Sequence, residues 1–245
     1  MIDRSNLNGR NRLLAALQPK DFALISPHLT KMSFEHGEFL QKPGNRIDHV
    51  YFPHTGMMSL VVTMPEGETV ETATIGHEGV VSAMSGLGPR HAFAGAIGQV
   101  SGTASRINTS RFQAAVNESS PIRDLVVRHN EALLSQVQQS VACNALHSVE
   151  ARLCRWLLQT RDRIDSDAIP LTQEFLSQML GVGRSTVTLT ARTLQAAHLI
   201  RYRRGLIEIL DGHGLEEAAC VCYEIIRRQI DQVLPKRRAT GASET

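Results

Sequence analysis

Nowhere in the 245-residue sequence does an apolar run approach the ~20 residues of a membrane span, and the opening stretch, Met1 to Arg10, lacks the hydrophobic core of a signal peptide. A cytoplasmic protein with no membrane partner is the expectation. Neither charge is in excess: 26 Lys and Arg stand against 24 Asp and Glu, a formal net charge of +2. So close a balance implies no nucleic-acid or membrane partner by itself, and the distribution of charge must decide. Cysteine is scarce. Cys143, Cys154, Cys220 and Cys222 form no Cys-x-x-Cys pair and no framework of the secreted type, so they read as free, buried thiols in a reducing compartment. Internal repeats and low-complexity tracts are also absent. What remains is a chain long enough for two ordinary domains, each with its own apolar core.

Between residues 32 and 115, Gly and Pro punctuate short β-prone runs, His49 to Phe52, Met57 to Thr63 and Val70 to Ile75, which predicts an all-β unit. The texture changes at Pro121, after which no Gly or Pro occurs until Pro170. Residues 121 to 146 should form one long helix, capped by Ser119 or Ser120. Its apolar residues, from Ile122 and Leu125 to Val141 and Ala145, make a broad band in which no clean heptad seam stands out. Ser148 can cap a second helix carrying Leu153, Trp156 and Leu157, so a domain boundary is placed near His147 and Ser148. After residue 213, helical spacing from Leu215 to Val233 predicts a terminal helix, stopped by Pro235 before a disordered tail, Lys236 to Thr245.

The informative stretch is Leu171 to Leu210. Thr172 precedes a short helical run, Gln173 to Leu180, and Gly181 can end it in the left-handed conformation. A second helix can run from Arg184 to Ala196. Counting from Gln173, apolar Leu176, Leu180, Val182 and Val187 fall at the fourth, eighth, tenth and fifteenth positions, small Ser177 at the fifth and Gly181 at the ninth. Those are the slots that hold the two helices of a helix-turn-helix together. Arg184 is the leading candidate for reading a base, since a guanidinium can bond guanine O6 and N7 at once. Ser185 and Thr188 can contact base or phosphate, and Leu189 a thymine methyl. Leu199 to Arg204 and Leu206 to Leu210 read as two short strands around a basic turn, a wing in which Arg201, Arg203 and Arg204 concentrate positive charge. The candidate DNA-contacting set is therefore Thr172, Gln173, Arg184, Ser185, Thr188, Leu189, Arg201, Arg203 and Arg204.

With these residues, the chain resembles the Crp/Fnr family (cyclic-AMP receptor and fumarate-nitrate regulator) over nearly its whole length. Thr172 to Leu176 and Gly181 to Val187 are similar to that family's helix-turn-helix, and Val149 to Leu158 to the helix leading into it. Gly37-Glu38, Pro43-Gly44, Val50 to Phe52 and Gly56 are similar to its β-roll. The resemblance implies an α+β fold. It divides into a cyclic-nucleotide-binding-like sensor β-roll (a double-stranded β-helix) over 1–120, a dimerisation helix over 121–147, a winged helix-turn-helix over 148–213, and a terminal helix with its tail over 214–245. It also implies a homodimer acting on double-stranded DNA and on RNA polymerase; its effector could be a small molecule, a redox or gas signal, or nothing beyond the protein's abundance. Two departures qualify it. The family usually carries glutamate where this chain has Ser185 and arginine where it has Leu189, so the operator should differ from the family's commonest one. Its cyclic-nucleotide binders carry Gly-Glu-Leu-Gly and then Arg-Ser-Ala, whereas this chain has Gly76-His77-Glu78-Gly79 and Arg90-His91-Ala92, with Val137 and Gln138 at the purine-facing positions. Glu78, Arg90 and His91 are retained as candidate effector residues, but cyclic AMP is not the expected ligand. Because the first cysteine is Cys143, the family's amino-terminal iron–sulfur cysteines are missing, and no cofactor is expected.

Other chemistries fit less well. His77-Glu78 begins like a zinc-hydrolase motif, but Val81 stands where the second histidine belongs. Gly183 to Thr186 has arginine in place of the phosphate-loop lysine, and Gln178 where a glycine is required. His213 with Cys220 and Cys222 offers three metal donors at the start of an apolar helix, where packing and capping are the commoner roles, so no metal site is expected. His77 and His91 read as hydrogen-bonded loop residues rather than haem ligands or proton sensors. An enzyme is therefore not expected. A sensor with a degenerate DNA domain, acting through protein contacts, is the alternative, and the intact basic wing weighs against it.

Overall fold

A computed structural model describes residues 11–88 and 90–233. The expected tail, Lys236 to Thr245, and the opening residues up to Arg10 lie outside the described residues. Two short helices, α1 (Arg12–Ala16) and α2 (Pro19–Ile25), lead into strands β1 (Thr30–Phe34), β2 (Phe39–Gln41), β3 (His49–Thr63), β4 (Thr69–Ile75) and β5 (Gly95–Asn108). The strands pair antiparallel in the order β1-β5-β3-β4, with β2 added on β5. The two runs expected at 49–52 and 57–63 are one strand that bends through register shifts between Pro53 and Met58. Gly56 permits the bend: its φ is +73°, and a Cβ there would meet the carbonyl oxygen of Val100 at 2.5 Å. A Cβ at Gly102, across the ladder, would come closer still, 2.0 Å from the Thr55 carbonyl oxygen.

The all-β reading ends too late, because α3 (Thr109–Glu118) starts inside it, with the Asn108 side chain accepting from the Ser110 N–H. The long helix α4 spans Ser120–Leu146, and its capping side chain is Ser119, which accepts from the Ile122 N–H at 3.2 Å. One face, with Ile122, Leu125, Val126, His129, Ala132 and Gln136, is buried toward the roll. The broad apolar band resolves into this face and a second, exposed one: Val127, Leu134 and Val141 recur every seventh residue on the solvent side.

The remaining elements are α5 (Val149–Ile164), β6 (Ala168–Pro170), α6 (Gln173–Leu180), α7 (Arg184–Ala196), β7 (Ile200–Arg203), β8 (Leu206–Ile209), α8 (Gly212–Ala218) and α9 (Cys222–Val233). The predicted single terminal helix is two, α8 and α9, because Ala219 turns extended and the Cys220 N–H bonds the Ala151 carbonyl at 3.3 Å. Leu153, Trp156 and Leu157 of α5 are buried in a core that includes Leu176, Leu180, Val187 and Leu194 together with Met57, Val61, Ile97 and Val100 of the roll. The roll and the carboxy-terminal unit thus share one apolar core. Among the described residues, no helix is long and apolar enough to cross a membrane.

Candidate nucleic-acid interface

Local chemistry builds the α6–α7 pair as the spacing requires. Thr172 accepts from the Phe175 N–H at 3.2 Å, and Gly181 ends α6 at φ +63°. The turn is closed by the Val182 N–H to the Ser177 carbonyl at 3.1 Å and by the Ser177 hydroxyl to the Val182 carbonyl at 2.8 Å. Small Ser177 thus has a second role, bonding the turn as well as admitting the neighbouring helix. Leu176, Leu180 and Val187 are buried between the helices. Arg152 of α5 reaches the Leu180 carbonyl, satisfying an orphan acceptor at the end of α6.

Gly183 caps α7 without a side chain, leaving its amino-terminal face open. Arg184, Ser185 and Leu189 are exposed there, with Leu189 67% accessible. Arg184 pairs with Glu174 of α6 at 2.5 Å, both side chains standing in solvent. The Thr188 hydroxyl is half-buried, within reach of the Arg184 carbonyl at 2.9 Å and the Gln173 amide oxygen at 3.1 Å. Strands β7 and β8 form the hairpin beside α7, with β6 completing a small sheet in the order β6-β8-β7. Its tip is Arg204 and Gly205, at φ +45° and +81°. Arg203 and Arg204 are exposed, while Arg201 pairs with Glu208 at 2.7 Å. The Gln195 amide oxygen accepts from the Tyr202 N–H at 2.9 Å and fixes the hairpin to the end of α7. Residues 171–210 hold five arginines against two glutamates, so the nearly neutral chain carries a locally basic surface.

The candidate effector residues do not form one cluster. Glu78 is buried and paired with Arg163 of α5 at 2.7 Å, accepting also from the Gly76 N–H at 3.2 Å. Burial pushes the Glu78 carboxyl up, but Arg163, His77 and the backbone N–H groups outweigh it and hold the pKa below the ordinary value. Arg90 instead bonds the Gln113 side chain of α3, and exposed His91 pairs through its backbone with Arg46. His77 places its Nδ1 3.4 Å from the Arg163 carbonyl.

Sequence reasoning did not find the polar bonds between roll and α5. Trp156 donates from Nε1 to Glu71 Oε1 at 2.9 Å, and the Ser59 hydroxyl lies 2.5 Å from Glu71 Oε2 and 3.1 Å from Gln99 Oε1. Burial raises the Glu71 pKa to about 7, against the opposing pull of Ser59, Trp156, Arg155 and Arg163. On α4, burial lowers the His129 pKa to about 4, so the neutral ring donates from Nε2 to the Val80 carbonyl at 2.8 Å. The α6 helix itself lies on the roll, with Gly181 against Val70 and the Phe175 ring 4.4 Å from His36.

A β-roll joined through a long helix to a winged helix-turn-helix is the arrangement of a DNA-binding transcription regulator. Residues 31–119 match the cyclic nucleotide-binding domain model and residues 151–218 the Crp-like helix-turn-helix domain model. The chain belongs to the Crp/Fnr family of transcription regulators. Among solved structures it is similar to a Crp/Fnr-family protein from Eubacterium rectale, with 18% identity, a TM-score of 0.65, and 84% of this chain and 96% of that one covered. A Crp/Fnr-family regulator from Thermus thermophilus has 20% identity and a TM-score of 0.65, over 78% of this chain and 98% of its own. FixK2 from Bradyrhizobium japonicum has 14% identity and a TM-score of 0.65, over 79% and 98%. No curated protein sequence matches the chain.

Proposed function

We propose that the protein acts as a homodimer that reads a two-fold-symmetric operator, with α7 in the major groove and the β7–β8 wing on the backbone. The observation that carries this reading is the open amino-terminal face of α7, with Arg184, Ser185, Thr188 and Leu189, set beside the exposed wing arginines. Arg184 reads a base, exchanging its solvent-exposed pairing with Glu174 for guanine; Thr172, Gln173, Ser185 and Thr188 contact backbone or base edges, and Leu189 meets a thymine methyl. Arg201, Arg203 and Arg204 supply sequence-blind attraction to phosphates. The seam Val127, Leu134 and Val141 on the outer face of α4 supports pairing with a second copy through that helix. Two reading helices then meet half-sites about one turn of DNA apart.

The four units of the chain are the sensor roll (1–120), the dimer helix (121–147), the DNA-reading unit (148–213) and the terminal segment (214–245). The contact of RNA polymerase with the DNA-bound dimer, and residence in the cytoplasm, follow from the same reading. Any effector, whether a small molecule or a redox or gas signal, is other than cyclic AMP, since Glu78 already holds Arg163 and Arg90 already holds Gln113. It acts by favouring one placement of the reading unit over another, and only to the extent that it binds the two differently.

The test is selection of bound sequences from a random DNA library at physiological salt, followed by binding of Arg184→Ala and Arg203→Ala to the selected site. The first should cost about 1 to 3 kcal/mol and relax one base position in each half-site. The second should weaken all sequences alike and lower the salt slope by about one per chain. Equal, sequence-blind losses from both variants would overturn the role given to Arg184.

A further inference from the structure

Two segments far apart in sequence bring four metal-binding side chains together where α4 meets the carboxy-terminal unit. Cys143 lies in the last turn of α4, His147 is its carboxy-terminal cap, and Cys220 and Cys222 flank the break between α8 and α9. One donor atom from each lies within 4.8 Å of all the others. The Cys143 and Cys220 sulfurs are 3.4 Å apart, and so are the Cys222 sulfur and His147 Nδ1. A tetrahedral zinc ion with Zn–S near ~2.3 Å and Zn–N near ~2.05 Å has edges of roughly 3.8 Å between sulfurs and roughly 3.6 Å between sulfur and nitrogen. The observed spacings are close to those edges and well beyond the ~2.05 Å of a disulfide.

We propose that Cys143, His147, Cys220 and Cys222 form a closed, four-ligand zinc site. The donors themselves select the ion: three thiolates and one imidazole favour a borderline-soft, tetrahedral cation over calcium or magnesium. Charge agrees. Zinc with three thiolates and a neutral imidazole carries one net negative charge, and the site lies beside the buried guanidinium of Arg152. Among the described residues, Arg152 has no carboxylate within ion-pair distance. An outer hydrogen bond of the kind that orients metal ligands is present as well, from the Gln139 amide to the Cys222 sulfur at 3.0 Å. The backbone serves the same end, since the extended residue Ala219 is what turns Cys220 back toward α4. With no open coordination position, the ion is structural. It ties the end of α4 to the segment after the wing, across the His147–Ser148 junction where the DNA-reading unit begins.

His213, which the sequence groups with Cys220 and Cys222, is not a ligand: it is exposed and pairs with Glu217 at 3.5 Å. Cys143 and His147 take the places instead.

The experiment uses the full chain, purified under reducing conditions without added metal. Elemental analysis should find one zinc per chain. Exchange into cobalt should produce the thiolate charge-transfer and visible ligand-field bands of a tetrahedral sulfur-rich site. His147→Gln, a change at a half-buried cap, should lower the content below one equivalent while the protein stays folded, and Cys143→Ser with Cys220→Ser should abolish it. Cys154→Ser, in a different core, should keep the full equivalent. A chain that stays metal-free when offered zinc or cobalt overturns the proposal. So does zinc retained by the double serine variant, a Cys143–Cys220 disulfide in the reduced preparation, or the broad visible absorption of an iron–sulfur cluster.

Discussion

Glu71 gives the sharpest test of how the two halves are held together. Its carboxyl sits between Ser59 of β3 and Trp156 of α5, and burial raises its pKa from 4.5 to about 7. When neutral, its O–H can donate to the Ser59 hydroxyl, which is then free to donate to Gln99, while Trp156 donates to the other carboxyl oxygen. When ionised, it requires the Ser59 proton for itself. A carboxyl whose pKa is raised on folding binds its proton more tightly in the folded chain. Its stabilisation is therefore complete below pH 4.5 and lost as the pH rises through 7. The pKa difference corresponds to about 3 kcal/mol in total, and to roughly 2.5 kcal/mol between pH 5 and pH 8.

Glu71→Gln keeps an uncharged acceptor for Trp156 and removes the titration. Urea denaturation of both proteins from pH 5 to 8 should show the variant gaining about 2 to 3 kcal/mol on the wild type as the pH rises. The comparison is needed because His129, lowered from 6.5 to about 4, acts in the opposite sense. Its stabilisation is present above pH 6.5 and falls away toward pH 4, so the two groups largely cancel in the wild type. Parallel pH profiles for the two proteins would refute the buried, neutral carboxyl at this contact.

Other outcomes follow from single contacts. Arg163→Met leaves the Glu78 carboxylate buried and unpaired and should cost about 3 to 5 kcal/mol in chemical denaturation, with much of the loss recovered in the Glu78→Gln double variant. Gly102→Ala drives a Cβ into the Thr55 carbonyl and should lower the thermal midpoint, by a stability loss of about 1 to 3 kcal/mol. Leu134→Glu, on the outer seam of α4, should shift sedimentation from dimer toward monomer while far-ultraviolet circular dichroism stays unchanged.

The bounds of α6 and α7 were readable from the sequence because everything that sets them is local: the Thr172 cap, the left-handed Gly181 and apolar residues at fixed steps. The Ser148 cap of α5 was readable for the same reason. The seam on α4 was hidden because that helix has two apolar faces, one against the roll and one in solvent, and together they blur into a band without period. Glu71 with Trp156, Glu78 with Arg163, and Cys143 with Cys220 are separated by 77 to 85 residues, and only folding makes them neighbours. The three-residue strand β6 and the break at Ala219 depend likewise on partners, β8 and Ala151, that no local pattern announces.

The apolar core that runs unbroken from Met57 and Val100 into Leu157 and Leu176 bears on where the gene could be cut. A fragment starting at Ser148 would carry the whole reading unit, yet it would expose the flank of α5 and α6 that now meets the roll, and strand Trp156 without its acceptor. The boundary that is plain along the chain is therefore no place of independent folding: the two halves should melt in one transition, and recombination that exchanged one for a foreign counterpart would have to carry the matching surface with it.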